Sequence, residues 1–499
     1  MASVGYQFAK DRLKLGILPI ESPAAVGPVT RIERLDRTMS VPSHLSPGED
    51  ITENLLFALK HEGTNLSLIA AASVHLEPGK LLAKLREVPN GAYIRKLCLL
   101  WEVFTGRLLE DLPAQVGGVI APLFDPGIYI TAKNAPRDKR WRVELNGLGN
   151  WDYCPTIART PALEALLAQD LLSEVRAFFQ EFPQATLDRV LAWAYLDETR
   201  SSYAIEGETP SGNKAEAFVK LLRKAEERQP LTEDYLITLQ NAAMVNTWAL
   251  EPSFRQTQNY LSNGLRGAAG VTYVPPPAEL LPSLIDGQAK LADGSLAEGL
   301  PPLLRAALVS FGFVFAHPFL DGNGRLSRFL AHYTLCQSGA LSNGYILPLS
   351  TAMKRNESAY LAALQSFSAP ARELWQVNWL DADAFSFEFQ GHSSIYRYFD
   401  ATRLCEFTCA MAQESLRHDL RAEVEFLHCY DRVLREVNAH YDIDGSTLSK
   451  LIRMALSNGG TLSKHRRKQF APALPAEVFT FIEERVQQAQ TALAPQSPE

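Results

Sequence analysis

Cysteine is scarce in this chain, with six residues among 499, and the six are too scattered for a disulfide framework. No C-x-x-C pair is present, so the usual ligand spacing of a structural zinc site is missing. The longest uncharged apolar stretch, 306–316, is far shorter than the ~20 residues that span a bilayer. The apolar run at 15–20 is too short for the core of a signal peptide. These absences predict a reduced, cytoplasmic protein without a membrane segment.

An excess of positive charge is also absent. Lys and Arg number 49 against 56 Asp and Glu, so the net charge of −7 gives the whole chain no electrostatic reason to bind nucleic acid or an anionic membrane. Apolar residues make up 46% and charged residues 21%, which excludes the disordered and fibrous classes. The length corresponds to about three domains.

Three regions differ in their hydrophobic pattern. The first forty or so residues have no helical period and predict an extended or irregular segment, and short β-like pieces follow near residue 120, so 1–154 is predicted to form a mixed α/β domain. A period of 3.6 residues then predicts a helical core over 155–385. The remainder, 386–499, is predicted to form a helical C-terminal domain, with a winged-helix architecture as an alternative. The predicted fold class is therefore mainly α.

Residues with chemical function concentrate after one apolar segment. Residues 303–316 are long enough for a buried helix, and they run directly into His317 and the loop PFLDGNGRLSR. Gly322 and Gly324 permit backbone conformations that other residues avoid, so the loop can turn its N–H groups toward one point. The helix predicted to begin near Gly324 adds the positive end of its dipole. The segment is therefore suited to bind an anion.

The charged residues beside this loop are those that a bound nucleotide requires. Arg325 and Arg328 stand at i and i+3 on one helix face, where both can contact phosphate oxygens. Asp321 is the one carboxylate in the cluster and suits a Mg²⁺ that bridges phosphates. His317 can accept the proton of an incoming hydroxyl, because imidazole titrates near neutral pH. The combination predicts attack on the phosphate of a bound nucleotide.

Each of these residues alone also fits a structural role. Asp-Gly and Asn-Gly are common turn dipeptides between core helices, and exposed arginines are ordinary. An EF-hand is excluded because Arg325 takes the third ligand position and His332 the twelfth. P-loop and H-E-x-x-H patterns do not occur. The cluster as a whole favours a phosphate site.

The segment HPFLDGNGRLSR, 317–328, resembles at every defined position the H-P-F-x-[DE]-G-N-G-R-x-x-R signature of the Fic family, whose members mostly transfer AMP from ATP to a Ser, Thr or Tyr hydroxyl of a protein. The resemblance implies a Fic helical core with a β-hairpin flap, His317 as general base and Asp321 as Mg²⁺ ligand. It implies that Arg325 contacts phosphate and that Arg328 holds the terminal phosphate. The implied phosphate loop consists of Gly322, Asn323 and Gly324.

Two further stretches resemble the family. FRQTQNYLSNGLRGAAGVTYVPPP, about 254–277, is similar to the flap that aligns a target segment by β-augmentation, which implies target contacts at Thr272, Tyr273 and Val274. Without the resemblance this stretch indicates only a Gly- and Pro-rich loop. LPLSTAMKRNESAYLAAL is similar to the family's helix that follows the active-site helix, with Asn356 and Tyr360 at positions near the nucleoside.

A regulatory pattern precedes the active-site loop within the predicted core. SSYAIEG lies at the end of a helix predicted over about 185–208 and matches the family's inhibitory [ST]-x-x-x-E-[GN] pattern through Ser202, Glu206 and Gly207. A carboxylate at this position can pair with Arg328 and so occupy the guanidinium that holds the γ-phosphate. The alternative is an ordinary helix-terminal glutamate in solvent. We expect Glu206 to restrain the enzyme.

The sequence thus predicts a Mg²⁺- and ATP-dependent protein adenylyltransferase, autoinhibited by Glu206, that acts on a target protein or on itself. Removal of AMP from a modified protein is a second enzymatic interpretation, in which Glu206 orients a water. A third is a self-modifying regulatory or DNA-associated protein whose basic run at 464–468 contacts phosphates. Cys405 and Cys409, four residues apart, are interpreted as core residues.

Overall fold

Helices make up most of the chain, which confirms the prediction of a mainly α protein. The computed structural model describes residues 2–35, 37–113, 116–243, 250–381 and 384–493. Within these residues the helices are α1 (Gly5–Leu13), α2 (Ile51–His61), α3 (Leu66–Ser73), α4 (Pro78–Glu87), α5 (Ala92–Thr105), α6 (Pro161–Leu167), α7 (Leu171–Gln180), α8 (Gln184–Ile205), α9 (Gly212–Arg223), α10 (Glu233–Ala243), α11 (Leu281–Ala292), α12 (Pro302–Ala316), α13 (Asn323–Gln337), α14 (Leu349–Arg355), α15 (Glu357–Arg372), α16 (Thr402–Glu414), α17 (Arg421–Asn438), α18 (Gly445–Leu456), α19 (Lys464–Phe470) and α20 (Ala476–Leu493). The strands are β1 (Ser3–Val4), β2 (Ala24–Val26), β3 (Glu33–Leu35), β4 (Thr38–Val41), β5 (Ala121–Pro122), β6 (Arg137–Asp138), β7 (Val143–Glu144), β8 (Leu261–Ser262), β9 (Val271–Tyr273), β10 (Trp375–Asp381) and β11 (Ala384–Phe389).

The described residues among the first forty are folded, so the expectation of an extended or irregular segment is wrong. They form α1 and a sheet in the order β1-β2-β4-β3, in which β2 and β4 are parallel and the other neighbours antiparallel. The buried face of α1 consists of Gly5, Tyr6 and Ala9, which spans little more than one turn and therefore gives a weak periodic signal. The Tyr6 hydroxyl donates to the Gly63 carbonyl at 2.7 Å and ties α1 to the end of α2.

The β-like pieces near residue 120 form strands of only two residues each. They pair in the order β5-β7-β6, with β5 parallel and β6 antiparallel to β7. The stretch 127–133 contributes a single bridge, between Tyr129 and Ala158. The N-terminal region therefore mixes helices with small sheets.

One apolar core runs through most of the molecule. It contains Trp101 and Phe124 from the N-terminal region together with Phe313 of α12, and it continues as far as Leu427 in α17. Most buried side chains of the N-terminal region therefore belong to this shared core, and a small cluster of Val4, Ala24, Met39, Val41 and Phe57 packs apart from it.

The C-terminal helices form a second, smaller core. It extends from Cys429 to Ala489 and is built by α17, α18 and α20, so the two cores meet within α17. Among the described residues 428–493 no strand is present to form the wing of a winged helix. Arg189 near the start of α8 donates to both carboxylate oxygens of Asp431 in α17, at 2.8 and 2.7 Å, and joins this unit to the rest.

Three helices position the candidate site. α12 is almost wholly apolar and buried, and Pro302 occupies its first turn, where a missing N–H leaves no bond unmade. α13 packs along α12, and the C-terminal end of α8 reaches the start of α13.

No helix in the described segments is long and apolar enough to cross a membrane. Cys405 and Cys409 of α16 are buried in the main core.

Candidate active site

His317 ends α12 and faces the loop that leads to α13. Its backbone is left-handed, with φ 49° and ψ 59°, and its N–H donates to the Phe313 carbonyl at 2.9 Å. Nδ1 lies 3.2 Å from the Val314 carbonyl, and because a carbonyl only accepts, Nδ1 carries the proton and Nε2 keeps a free lone pair. Burial, with the side chain 8% exposed, lowers the pKa of His317 to about 4. The imidazole is therefore neutral at pH 7 and has an open acceptor atom.

Asn323 fixes the shape of the loop between the two helices. Its Oδ1 accepts from the Phe319 N–H at 3.0 Å, and its Nδ2 donates to the Phe319 carbonyl at 2.8 Å. Gly322 has φ 74°, where a side chain would be strained, and a Cβ there would overlap Gln240. The N–H groups of Asn323, Gly324 and Arg325 open α13 and have no intrahelical partner by their position. These three donors lie where the sequence predicts an anion site.

Glu206 joins the two arginines of α13. Arg328 Nη2 donates to Glu206 Oε1 at 2.8 Å, and Arg325 Nε lies 2.9 Å from Glu206 Oε2. Arg328 also donates to the Ser202 hydroxyl and carbonyl, both at 2.7 Å. Gly207, with φ 73°, turns the chain away immediately after Glu206. The last turn of α8 therefore satisfies the Arg328 guanidinium through Ser202 and Glu206.

The Glu206 carboxylate lies against the N-terminus of α13. A Cβ at Gly324 would overlap Glu206 Oε1, so only glycine allows the carboxylate to come so close to the helix backbone. Arg325 stacks on the Tyr203 ring of α8, with 4.9 Å from its guanidinium carbon to the ring centroid. The carboxylate thus lies where the helix dipole and two guanidinium groups attract an anion.

Asp321 is the exposed carboxylate of the loop. Its side chain is 63% exposed, and Oδ1 accepts from the Gly322 N–H at 2.6 Å and lies 3.4 Å from Arg325 Nη2. Within the described part of the chain no group of three His, Cys, Asp or Glu residues can hold a metal ion by itself. A single exposed carboxylate beside N–H groups that can bind phosphate suits Mg²⁺, because substrate phosphates and water complete the coordination shell of the ion. The residues therefore fit Mg²⁺ that arrives with a nucleotide.

The structure brings Tyr360 to this cluster but not Asn356. Tyr360 is buried; burial raises the pKa of its hydroxyl, while the adjacent Arg328 guanidinium opposes this by lowering it. The Asn356 side chain donates to the carbonyl of Ala352 in α14 at 3.0 Å. Tyr360 therefore borders the phosphate-binding arginine, whereas Asn356 bonds to its own chain segment.

The flap, residues 254–277, contains a short antiparallel hairpin of β8 and β9. Among the three predicted target residues only Thr272 is exposed, because Tyr273 and Val274 are buried. The Tyr273 hydroxyl donates to the Phe315 carbonyl of α12 at 2.7 Å. The side chains of Tyr273 and Val274 therefore attach the flap to the core, which leaves backbone groups and Thr272 as the parts of β9 that a target can reach.

Several residues at the site gave no signal in the sequence. Gln240 of α10 donates to the Asp321 carbonyl at 2.6 Å and is wholly buried. Arg255, at the start of the flap, donates to the His317 carbonyl at 2.9 Å. Both are polar residues, for which a surface position is the ordinary expectation. Only the tertiary structure brings them to the loop.

A buried polar cluster joins α8, α13 and α14 one turn beyond the arginines. Glu198 Oε1 lies 2.9 Å from His332 Nε2 and accepts from the Ser350 hydroxyl at 2.6 Å. Glu198 Oε2 accepts from the Ser350 N–H at 2.7 Å. These bonds hold the helix that carries Glu206 against the helix that carries Arg328.

Comparison with known proteins finds one family model that matches part of the chain. Residues 230–335 match the Fic/DOC family. The chain is 25% identical over 249 residues to the protein adenylyltransferase fic-1 of Caenorhabditis briggsae, over 43% of this chain and 47% of that protein. It is 26% identical over 202 residues to the protein adenylyltransferase Fic of Nematostella vectensis, over 34% of this chain and 44% of that protein. The chain thus spans a little under half the length of these curated relatives.

Among solved structures, a Fic family protein from Desulfovibrio desulfuricans G20 aligns with a TM-score of 0.39 and 19% identity, over 66% of this chain and 89% of that one.

Proposed function

Because the chain belongs to the Fic family through residues 230–335, we propose that it is a protein adenylyltransferase, which transfers AMP from ATP to the hydroxyl of a Ser, Thr or Tyr in a target protein. One observation carries the proposal. The neutral His317, with its free Nε2, lies at one end of a loop whose other end is the N-terminus of α13, where Arg325 and Arg328 hold the Glu206 carboxylate. A base and an anion site on one short loop suit the activation of a hydroxyl against a bound phosphate.

The reaction is an in-line displacement at the α-phosphorus. The target oxygen forms a new bond to phosphorus, the bond from the α-phosphorus to the departing pyrophosphate breaks, and the hydroxyl proton moves to His317 Nε2. The N–H groups at the start of α13 and the Arg325 guanidinium hold phosphate oxygens. Bound phosphates also place negative charge near His317, which favours its protonated form and so helps it to accept the proton.

Asp321 is the residue that would hold Mg²⁺ in this reaction. The ion, when bound, neutralises charge on the phosphates that leave as pyrophosphate. The contact between the Gly322 N–H and Asp321 Oδ1 keeps the carboxylate at the exposed surface of the loop. An Asp321→Asn variant should therefore need more Mg²⁺ for half-maximal transfer.

The chain restrains itself through Glu206. Its carboxylate lies against the N-terminus of α13 and pairs with Arg328, the guanidinium that would hold the γ-phosphate. While Glu206 stays in place, the terminal phosphate of ATP cannot take up this position, and the α-phosphate is not aligned for in-line attack. Release of Glu206 exposes two buried cations for which ATP is the natural counterion.

Removal of AMP from a modified protein is a second candidate, favoured by the same carboxylate. Glu206 is 23% exposed, so a water can reach it beside the anion site. In this reaction the water oxygen attacks the phosphorus, the bond from phosphorus to the protein oxygen breaks, and free hydroxyl and AMP are released. Glu206 would then be required for activity instead of opposing it.

The C-terminal unit gives no support to a nucleic-acid function. Residues 428–493 carry nine basic and seven acidic side chains, a net charge of only +2. The basic run lies on α19, where Arg467 is already paired with Glu483. A surface of mixed sign lacks the concentrated positive field that binds phosphates of nucleic acid.

Labelling with ATP that carries its label on the α-phosphate tests the proposal. Wild type, Glu206→Gly and Glu206→Gly with His317→Ala are incubated with Mg²⁺ and cell lysate. We expect the single variant to label target proteins or itself and the double variant to label neither. Absence of label from every variant that still binds ATP would refute AMP transfer. Loss of AMP from a pre-modified protein in wild type but not in Glu206→Gly would favour the second candidate.

A further inference from the structure

Arg255 is a buried cation at the point where the chain enters the flap. Its side chain is only 4% exposed, yet it forms no ion pair with any carboxylate in the described residues. Burial lowers the pKa of Arg255 to about 10, which leaves the guanidinium charged at neutral pH. A buried charge without a carboxylate is costly and must be offset by hydrogen bonds of good geometry.

The guanidinium holds the end of α12. Its Nε donates to the His317 carbonyl at 2.9 Å, and its Nη2 lies 3.4 Å from the Ala316 carbonyl. The backbone N–H of Arg255 donates to the Pro318 carbonyl at 2.8 Å. The last carbonyls of a helix lack intrahelical partners and form the negative end of its dipole, so a cation is favoured here. Arg255 thereby fixes the backbone that carries the imidazole.

The same guanidinium joins both ends of the flap. Nη2 donates to the Pro276 carbonyl at 2.5 Å, where the flap returns to the core, and Nη1 donates to the Thr257 carbonyl at 3.1 Å, where the flap departs. One planar group thus connects the entry of the flap, its exit and the His317 carbonyl. Lysine cannot reproduce this, because its donors radiate from one nitrogen.

We propose that Arg255 is a positioning residue that sets the distance between the flap and His317, so that a hydroxyl presented by the flap reaches Nε2 in line with the phosphate. The inference rests on the proposed transfer of AMP to a protein. Arg255 touches neither nucleotide nor target in this role. It acts through the backbone of His317 and through the two ends of the flap.

A second consequence is electrostatic. Arg255 from the flap side and Asp321 from the loop side are the charged groups that act on His317; the cation disfavours the imidazolium, and the carboxylate favours it. Removal of the cation should therefore raise the pKa of His317, whereas replacement by lysine should leave it nearly unchanged.

Arg305 of α12 provides a matched control. It is buried like Arg255 and donates to three carbonyls, those of Leu291 at 2.7 Å, Leu296 at 3.1 Å and Ala297 at 3.0 Å, but none belongs to the flap or the His317 loop. Arg305→Lys therefore loses buried hydrogen bonds as Arg255→Lys does, but the lost bonds do not involve the flap or the His317 loop.

The test compares Arg255→Lys with Arg305→Lys, both in the Glu206→Gly background. We expect Arg255→Lys to lower kcat/KM for the target by roughly 10- to 100-fold, as for a misplaced reacting group. ATP affinity should stay unchanged, and Arg305→Lys should stay within about twofold of its parent. An Arg255→Met variant should shift the acidic limb of the rate profile upward from near pH 4, and Arg255→Lys should not.

Proteolysis supplies a readout that needs no activity. Arg266 is exposed in the flap loop and is the one arginine between Arg255 and the end of the flap, so an arginine-specific protease reports how firmly the flap is held. Cleavage after Arg266 should be several-fold faster in Arg255→Lys than in Arg305→Lys. Equal cleavage and equal kcat/KM in the two variants would overturn the inference. If the parent transfers no AMP, the proposed function fails, and the cleavage rates still decide whether Arg255 holds the flap.

Discussion

Replacement of Glu206 by glycine should raise the rate of AMP transfer roughly 100-fold. The carboxylate makes one charge-assisted hydrogen bond with Arg328, at 2.8 Å, and one close ion pair with Arg325, at 2.9 Å. Contacts of this kind contribute about 1.5 kcal/mol or more each, and every 1.4 kcal/mol changes an equilibrium tenfold, so about 3 kcal/mol corresponds to about two orders of magnitude. The backbone at Glu206, with φ −88° and ψ 8°, accepts glycine without rearrangement.

The assay is the initial rate of label transfer from ATP labelled on the α-phosphate, with ATP affinity measured separately. Glu208→Gln is the matched control, because Glu208 lies 3.8 Å from Arg325 and is 41% exposed, so its loss should change the rate by less than about twofold. Glu206→Gln keeps an acceptor without the charge and should fall between wild type and Glu206→Gly. A folded Glu206→Gly protein that binds ATP but transfers AMP no faster than wild type would refute the reasoning.

Three further perturbations test the structure around the site and beyond it. Gly324→Ala should destabilise wild type but cost less in the Glu206→Gly background, because the added Cβ overlaps the Glu206 carboxylate; chemical denaturation of the four proteins measures this coupling. Tyr273→Phe should lower the free energy of unfolding by about 1 to 2 kcal/mol, because the Phe315 carbonyl loses its buried donor. Burial raises the pKa of Glu62 to about 7, so the folded state retains a proton that the unfolded state loses above about pH 4.3. Stability should therefore fall by about 3 kcal/mol as the pH rises from 4.3 to 7, and Glu62→Gln should remove this fall in denaturation curves at several pH values.

The central part of the site could be predicted because its signals are local. A continuous apolar run predicts α12, and the following glycines predict a turn into a second helix, which places His317 and Arg325 at opposite ends of one loop. The pairing of Glu206 with Arg328 was expected from a short pattern, and the structure brings the two within hydrogen-bond distance.

Features that depend on distant parts of the chain escaped prediction. The sequence predicts a surface position for Arg255, but the fold brings its guanidinium to the His317 carbonyl. The burial of Tyr273 likewise depends on its contact with α12. The hairpin of β10 and β11 carries a detectable signal, since Phe385, Phe387 and Phe389 alternate with polar residues. The loss of the helical period near residue 386 predicts a domain boundary, but a pair of strands produces the same loss of period.

The shared apolar core limits where this chain can be divided. Side chains from Tyr6 to Leu427 pack in one cluster, so removal of the N-terminal region would expose a large apolar surface on the part that holds His317. The C-terminal core is no easier to separate, because α17 runs unbroken from Arg421 to Asn438 across the boundary between the two cores. Truncated fragments should therefore aggregate or unfold. Biochemical experiments should therefore use all 499 residues, because shorter fragments would lose part of one of the two cores.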